Sequence, residues 1–323
     1  MDITAWTALS PYGTGGGPFA EAVRAGRPAA AAADPADVPD TEVCLVPGFD
    51  PRAALGRRGT RAMDRVTGLA VAAVGALVAD RPAGPGTALV LGTTGGSAQS
   101  MTDFTAASLT GERPFDVAPA AVPGAVMNCA AGQCALRHGL TGPNITIAGG
   151  RASGLLGLAH ARRLLLAGRA AAVLCGAAEE YSPARSWLEH HGRDGAPARL
   201  GEGAAVLRLE RAGTPGALAR VLAVASGVDA ALADVARRAL DRARVAPAGV
   251  WAATPGLEGA GVPARAAARM PDARGLIGDT GAVAAVFQIA AALAALADAA
   301  GRVAVVAGAD PAGQVSAAVL RMA

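Results

Sequence analysis

Residues 144–154, NITIAGGRASG, run from an apolar strand through a Gly-rich turn into a helix that opens with Ala152-Ser153-Gly154. A turn of this kind exposes one side chain and aims helix N–H groups at it, the setting in which many enzymes hold a nucleophile. The side chain in that seat is Arg151, which stays protonated and cannot attack a carbonyl. Thiols and imidazoles are few, four of each. The four Cys stand at 44, 129, 134 and 175, with no C-x-x-C pair, so neither a zinc pattern nor a secreted disulfide framework is present. Cys129 and Cys134 lie in an apolar helix and read as small core residues. Of the four His, His138 and His160 fall on predicted helices and His190-His191 in a predicted loop. All 29 basic residues are Arg, which excludes Schiff-base and Lys-base chemistry. The Gly-rich turn at residues 92–96, GTTGG, lacks the G-x-G-x-x-G spacing and the acidic residue that a dinucleotide loop needs. No cofactor and no metal is expected.

A chain of 323 residues is long enough to bury about 75% of its unfolded surface. Apolar residues make up 52% but aromatics only 3%, so the core must be built from Ala, Gly and Val, with helices and sheets in close contact. The net charge of +3 is spread among interspersed Arg and acidic residues, which does not indicate a nucleic-acid surface. The local patch of Arg57, Arg58, Arg61 and Arg65 reads as a solvated helix face. The N-terminus, MDITAWTALSPYG, has no basic segment followed by an apolar one, and the Ala-rich runs carry Arg, Asp or Gln too often to span a bilayer. A soluble cytoplasmic protein, without membrane contact, is the expectation.

The elements that must hold the elbow follow from apolar spacing and punctuation. Strands are predicted over residues 3–9, 87–91, 145–148, 170–175, 204–209, 221–225, 250–253, 303–306 and 315–320. Helices are predicted over 18–25, 64–80, 126–137, 153–167, with Arg162-Arg163 outward, 230–243 and 280–300. Residues 29–40 read as a loop and 95–124 as irregular, broken by Pro114, Pro119 and Pro123. Strands alternating with buried helices argue for α/β layers. Each half carries a strand–Gly turn–helix unit, at residues 92–96 and 254–256, which suggests a duplicated fold.

Five ordered blocks are similar to the β-ketoacyl synthases of the thiolase superfamily: LSPYG, GTTGG, VAPAAVPGAVMNCAAGQCALRHGLTGPN, ASGLLGLAHARRLLLAGRAAAVLCGAAEE and RLGEGAAVLRLE. The resemblance covers nearly all of residues 1–211 and continues more faintly to the C-terminus. It implies an α/β thiolase-like fold, a five-layered αβαβα sandwich of two pseudo-repeated halves, usually dimeric. The halves would be an N-terminal ketosynthase-like half over residues 1–211 and a shortened C-terminal half over 212–323.

The family's catalytic set is a Cys at the elbow that takes the acyl chain as a thioester, and two His that assist decarboxylation and stabilise the developing negative charge. The Cys position corresponds to Arg151. The first His position, before a Gly-Thr turn, corresponds to Ala253 or Thr254. The second corresponds to Asp279, or to Thr280 with a one-residue slip. The family Lys appears as Arg274, and its Gly-Phe-Gly-Gly turn as Gly308-Ala309-Asp310-Pro311. With nucleophile and both His lost, the chain resembles a non-catalytic member. Arg151 is then expected to be buried and paired, with Asp279 as its partner, or Glu179 or Glu180 in its place.

Catalytically empty members of this family resemble the chain length factor of type II polyketide synthases. Such a subunit pairs with an active ketosynthase, which carries the Cys, and a carrier protein brings the growing chain. Side chains of the empty subunit limit growth sterically in a tunnel at the interface. The region matching that tract is 101–136. Ala120, Ala121, Gly124, Cys129, Gly132 and Cys134 are small there, and Met101, Phe104, Phe115 and Met127 are candidate wall or stop residues. The shortened second half suits the divergent factors of reducing, polyene-forming systems. Two other readings stand beside this one. One is an active acyltransferase or condensing enzyme with a relocated nucleophile, at Cys129, Cys134 or Ser153; the other is a standalone thiolase-fold protein that binds an acyl or carrier ligand.

Overall fold

A computed structural model describes residues 1–29, 31–32, 38–40, 42–193, 196 and 198–323. Its framework is nine strands: β1 Asp2–Ser10, β2 Ala88–Thr93, β3 Asn144–Ala148, β4 Ala172–Glu179, β5 Gly203–Glu210, β6 Ala219–Val228, β7 Val250–Ala253, β8 Val303–Ala309 and β9 Gln314–Met322. In space they run β7-β8-β9-β6-β1-β5-β4-β2-β3. The join between β1 and β6 is only two residue pairs, Asp2 with Arg220 and Ile3 with Ala219. On either side of it the same topology appears twice. In the first half β1 and β4 flank β5 antiparallel, and β2 runs parallel to β4. In the second, β6 and β8 flank β9 antiparallel, and β7 runs parallel to β8. The first half adds the parallel edge strand β3; no described strand pairs with β7 in the corresponding place, which is the structural form of the shorter second half.

The longer helices are α1 Gly16–Arg24, α2 Arg65–Asp80, α3 Ala98–Thr110, α4 Cys129–His138, α5 Ser153–Leu166, α6 Pro183–Gly192, α7 Leu232–Ala243 and α8 Ala284–Ala295. Side-chain parity along the strands shows the layering, because successive residues face opposite sides. In β4, Val173, Cys175 and Ala177 join a central core with α1, α5 and α8, whereas Leu174 and Ala178 join a core under α2 and α4. In β8, Ala304 and Val306 face the central core, whereas Val303, Val305 and Ala307 pack under α7. The order is therefore α2/α4, first sheet, α5/α8, second sheet, α7, which is the expected five-layered sandwich. β4 is buried along its whole length because helices lie on both its faces. α8 is apolar nearly all round for the same reason. α5 and α8 approach closely: a Cβ on Gly154 would stand 2.6 Å from Val286 Cγ2.

Several expectations need correction. Residues 95–124 are not irregular throughout, because Ser97 caps α3 by accepting the Ser100 N–H at 3.1 Å. Two single 3₁₀ turns follow, at Pro119–Ala121 and Pro123–Ala125. α4 starts at Cys129 rather than 126, after the second of these turns. The helix expected over 280–300 is a 3₁₀ turn at Gly281–Val283 followed by α8, which ends at Ala295. His190 and His191 lie in the last turn of α6, not in a loop; Ser182 caps that helix and Pro183 occupies its first position. Within the loop expected at 29–40, Ala31–Ala32 pair with Glu42–Cys44, and residues 30 and 33–37 lie outside the described residues. Among the described residues no helix is long and apolar enough to cross a membrane.

Candidate functional site

The elbow is built where β3 ends. Gly150–Ala152 forms a 3₁₀ turn that runs directly into α5. Ser153, fully buried, fixes it: its Oγ accepts the Gly149 N–H at 2.9 Å and donates to the Thr93 carbonyl at the end of β2 at 3.0 Å. Those bonds use the hydroxyl proton and one of its lone pairs, so Ser153 serves as a structural pin.

Arg151 emerges from this turn with only 17% of its side chain exposed. Its Nη2 lies 2.9 Å from Asp279 Oδ2 and 3.1 Å from Glu189 Oε2, and its Nε donates to Asp279 Oδ2 at 3.0 Å. Asp310 Oδ2 accepts the Arg151 backbone N–H at 2.8 Å and stands 3.8 Å from Nη1. Asp279 also receives the Arg274 Nη2 at 2.9 Å and the Gly281 N–H at 3.1 Å. Burial pushes the Asp279 carboxyl up, but the Arg151 and Arg274 charges outweigh it and hold the group below the usual carboxylate range. Burial likewise opposes the Arg151 charge, and Asp279, Glu189 and Asp310 together outweigh it, so the guanidinium is held protonated even more firmly than usual. The expected pair with Asp279 is present. Glu179 instead accepts from Thr94 and the Ala282 N–H, and Glu180 from Ser97, Gln99 and Val66. Glu189 and Asp310 were not foreseen. They lie 38 and 159 residues from Arg151, and no local spacing relates them to it.

The three positions matched to the catalytic set converge. Arg151, Thr254 and Asp279 line one cavity of about 260 Å³. Of the two residues considered for the first position, Thr254 faces it, whereas Ala253 points into the core under α7. Thr254 Oγ1 accepts the Ala307 N–H at 3.1 Å. A second cavity of about 380 Å³ lies on the other side of Arg151, walled by Met101, Leu188, Glu189, Arg193, Asp310 and Pro311 among others. Arg151 is the residue common to both linings. Neither is lined by a Cys or a His.

The thiols lie elsewhere, in settings opposite to those that activate a nucleophile. Cys134 and Cys175 are buried, and burial raises both, Cys175 to about 12. Cys129, half-buried, is raised by burial and then by the nearby Asp64 carboxylate. Cys44 donates to the Ala29 carbonyl. His138 contacts the Val71 carbonyl at 2.9 Å, and His190 and His191 lie against Trp187. Among the described residues no cluster is able to hold a metal.

The residues matched to the interface tract fall in separate places. Met101 and Phe104 sit on α3, none of whose residues is buried. Met127 packs against Gly96, and Gly124 against Ser100 and Asp64. Ala120 and Cys129 share a cavity of about 290 Å³ with Met63, Thr67 and Gln133. Phe115 is 71% exposed, with the Arg113 guanidinium 5.1 Å from its ring, and Ala121 is exposed.

Comparison with known proteins places this geometry. The "Beta-ketoacyl synthase, N-terminal domain" family matches residues 3–191. The chain is similar to the 3-oxoacyl-[acyl-carrier-protein] synthase 2 of Vibrio harveyi, 37% identical over 75 residues, 23% of this chain and 18% of that one. The stretch matched is thus about a fifth of the curated relative's length. Among solved structures, the ishigamide ketosynthase/chain length factor superposes with a TM-score of 0.91 at 45% identity, covering 99% of each chain. A type II PKS acyl-carrier protein in complex with its ketosynthase, bound to the hexaketide, superposes at 0.79 with 15% identity, over 100% of this chain and 99% of that one, a likeness of fold.

Proposed function

The chain belongs to the β-ketoacyl synthase family, and from that premise we propose that it is the non-catalytic member of a pair, a chain length factor that binds an active ketosynthase and shapes the space into which the acyl chain grows. The observation that carries this reading is the elbow. The nucleophile's seat holds an arginine tied to three carboxylates, and the cavities on either side of it contain neither thiol nor imidazole. Such a site offers no thiolate to accept an acyl chain and no imidazole to stabilise a developing oxyanion, which supports the non-catalytic reading.

The partner would cover the face around α3. Within residues 101–127, Met101, Leu109, Phe115, Val122, Val126 and Met127 are all more than 40% exposed. Apolar exposure on this scale marks an interaction surface. The 45% identity to a ketosynthase/chain length factor supports the choice of an active ketosynthase as partner. The substrate is a chain carried on an acyl carrier protein, and the narrower expectation is a reducing, polyene-forming system. In this reading Ala120, Ala121, Gly124 and Cys129 leave room for the chain, and Met101, Phe104, Phe115 and Met127 bound it. The limit on length is steric, since another two-carbon unit has no volume to enter a close-packed wall.

Co-expression with a Cys-containing ketosynthase tests the proposal. A stable one-to-one complex is expected, with acyl label on the partner alone when the subunits are weighed by mass spectrometry. Label on this chain overturns the non-catalytic assignment. Ala121→Phe is expected to shorten the products, and an unchanged length removes Ala121 from the tunnel wall.

A further inference from the structure

The backbone N–H of residue 151, in the 3₁₀ turn that leads into α5, is the donor placed to hold the carbonyl oxygen of an acyl group at this elbow, because oxyanions develop beside the nucleophile and backbone N–H groups there stabilise them. Here that donor is already engaged. The Arg151 N–H points at Asp310 Oδ2, 2.8 Å away. Asp310 Oδ1 is held in turn by the Ala312 N–H at 2.9 Å, and the Asp310 N–H donates to the Gln314 carbonyl at 2.8 Å, so the turn is fixed from both ends. Residue 150 has to be glycine for this approach: its φ is +53°, and a Cβ there would stand 1.9 Å from Asp310 Oδ2. The Arg151 side chain meanwhile separates the cavities of about 380 and 260 Å³.

We infer that Asp310 is a built-in ligand that fills the oxyanion position of this chain's own elbow, so that the site stays closed to acyl thioesters even when a thiol is returned to position 151. The inference rests on residue 151 as the lost nucleophile position, and goes beyond that loss: the site is refilled as well as disarmed. Removing the arginine side chain alone leaves the Asp310 carboxylate on the N–H.

The test uses the full chain purified in complex with its ketosynthase. Three variants are compared: R151C, R151C/D310N and R151C/D310A. The probe is the hexanoyl thioester of N-acetylcysteamine, and the intact mass of this subunit is read separately from the partner's. In the reaction the introduced thiolate attacks the thioester carbonyl carbon. The new C–S bond forms as the bond to N-acetylcysteamine breaks, and that thiol leaves with its electron pair and takes a proton from solvent. Losing access to one oxyanion donor slows such a step by about 10²–10³-fold. R151C and R151C/D310N are therefore expected to acylate on the order of a hundredfold more slowly than R151C/D310A, because an Asn oxygen still occupies the N–H while an Ala side chain does not. All three should react with iodoacetamide at position 151, which shows that the thiol is reachable. Equal acylation of R151C and R151C/D310A overturns the inference, as does equal acylation of the Asn and Ala double variants, or no acylation of an alkylatable R151C/D310A. Should the R151C variants not fold, D310A with Arg151 retained gives the second measurement: the Arg151 amide should exchange with solvent at least tenfold faster than in wild type, and unchanged protection overturns it. Failure of the complex to form, or label on the wild-type chain, tests the non-catalytic assignment instead.

Discussion

Replacing Arg151 by Met keeps most of the side-chain volume and removes the charge around which the elbow is organised. Breaking a buried ion pair by deleting one partner costs about 3–5 kcal/mol, because the remaining charge is left without compensation. Here the loss belongs at the lower end. Asp279 keeps Arg274 at 2.9 Å and the Gly281 N–H, Glu189 keeps Arg193 at 3.9 Å, and Asp310 keeps two backbone donors. A cost of about 3 kcal/mol follows, and at about 2 °C per kcal/mol for a large chain the melting temperature should fall by about 6 °C at pH 7.5. The pH dependence has a defined sign. In the wild type the Asp279 carboxyl sits below its ordinary value, so the stability from its pairing is present throughout the range above that value and is lost only as pH falls through the lowered one. In R151M, burial acts on Asp279 with less opposing charge, and its pKa rises. The native state then gains a proton relative to the unfolded chain as the solution is acidified, which relieves the strain. Differential scanning fluorimetry of wild type and variant, in the same complex, should show the gap widest at pH 7–8 and narrowing toward pH 5. A shift below 1 °C at pH 7.5, or a gap that is the same at both pH values, refutes the account of Arg151 as a buried counter-charge.

Glu180 gives a prediction of opposite sign. Burial pushes its carboxyl up from 4.5 to about 7, so its contribution to stability is present at low pH and lost as pH rises through about 7. The difference corresponds to about 3 kcal/mol; E180Q should therefore show a flatter stability–pH curve between 5 and 8 than the wild type, and equal slopes in thermal melts would contradict it. The cysteines give a chemical check: with iodoacetamide at pH 8, Cys134 and Cys175 should stay unlabelled in the folded complex and Cys129 should label slowly, while all four label in urea. Labelling of Cys134 or Cys175 at the rate of a free thiol would show that their burial has been misjudged.

Strands such as β4 and β5, and the helix α5, could be read from their apolar runs because burial on both faces leaves nothing else they could be. α3 could not, because the pattern that announces a helix is a buried stripe, and this helix has none in the isolated chain; its one local sign was the capping Ser97. α6 carried a similar sign in Ser182-Pro183 that apolar periodicity did not pick up. The helix predicted over 280–300 exceeds α8 at both ends, since a segment apolar on all sides has no period to mark where the helix gives way to a turn. At the site, Asp279 was predicted from its match to a known position. Glu189 and Asp310 arrive from α6 and the β8–β9 turn, and only the folded topology brings them to Arg151.

At Gly154 the backbone of α5 comes close to α8. A Cβ there would stand 2.6 Å from Val286 Cγ2, so the glycine after Ala152-Ser153 is favoured by the close approach of the two helices, whether or not any reaction occurs beside it. A glycine at that position therefore reports that two helices mesh, independently of the chemistry at the elbow.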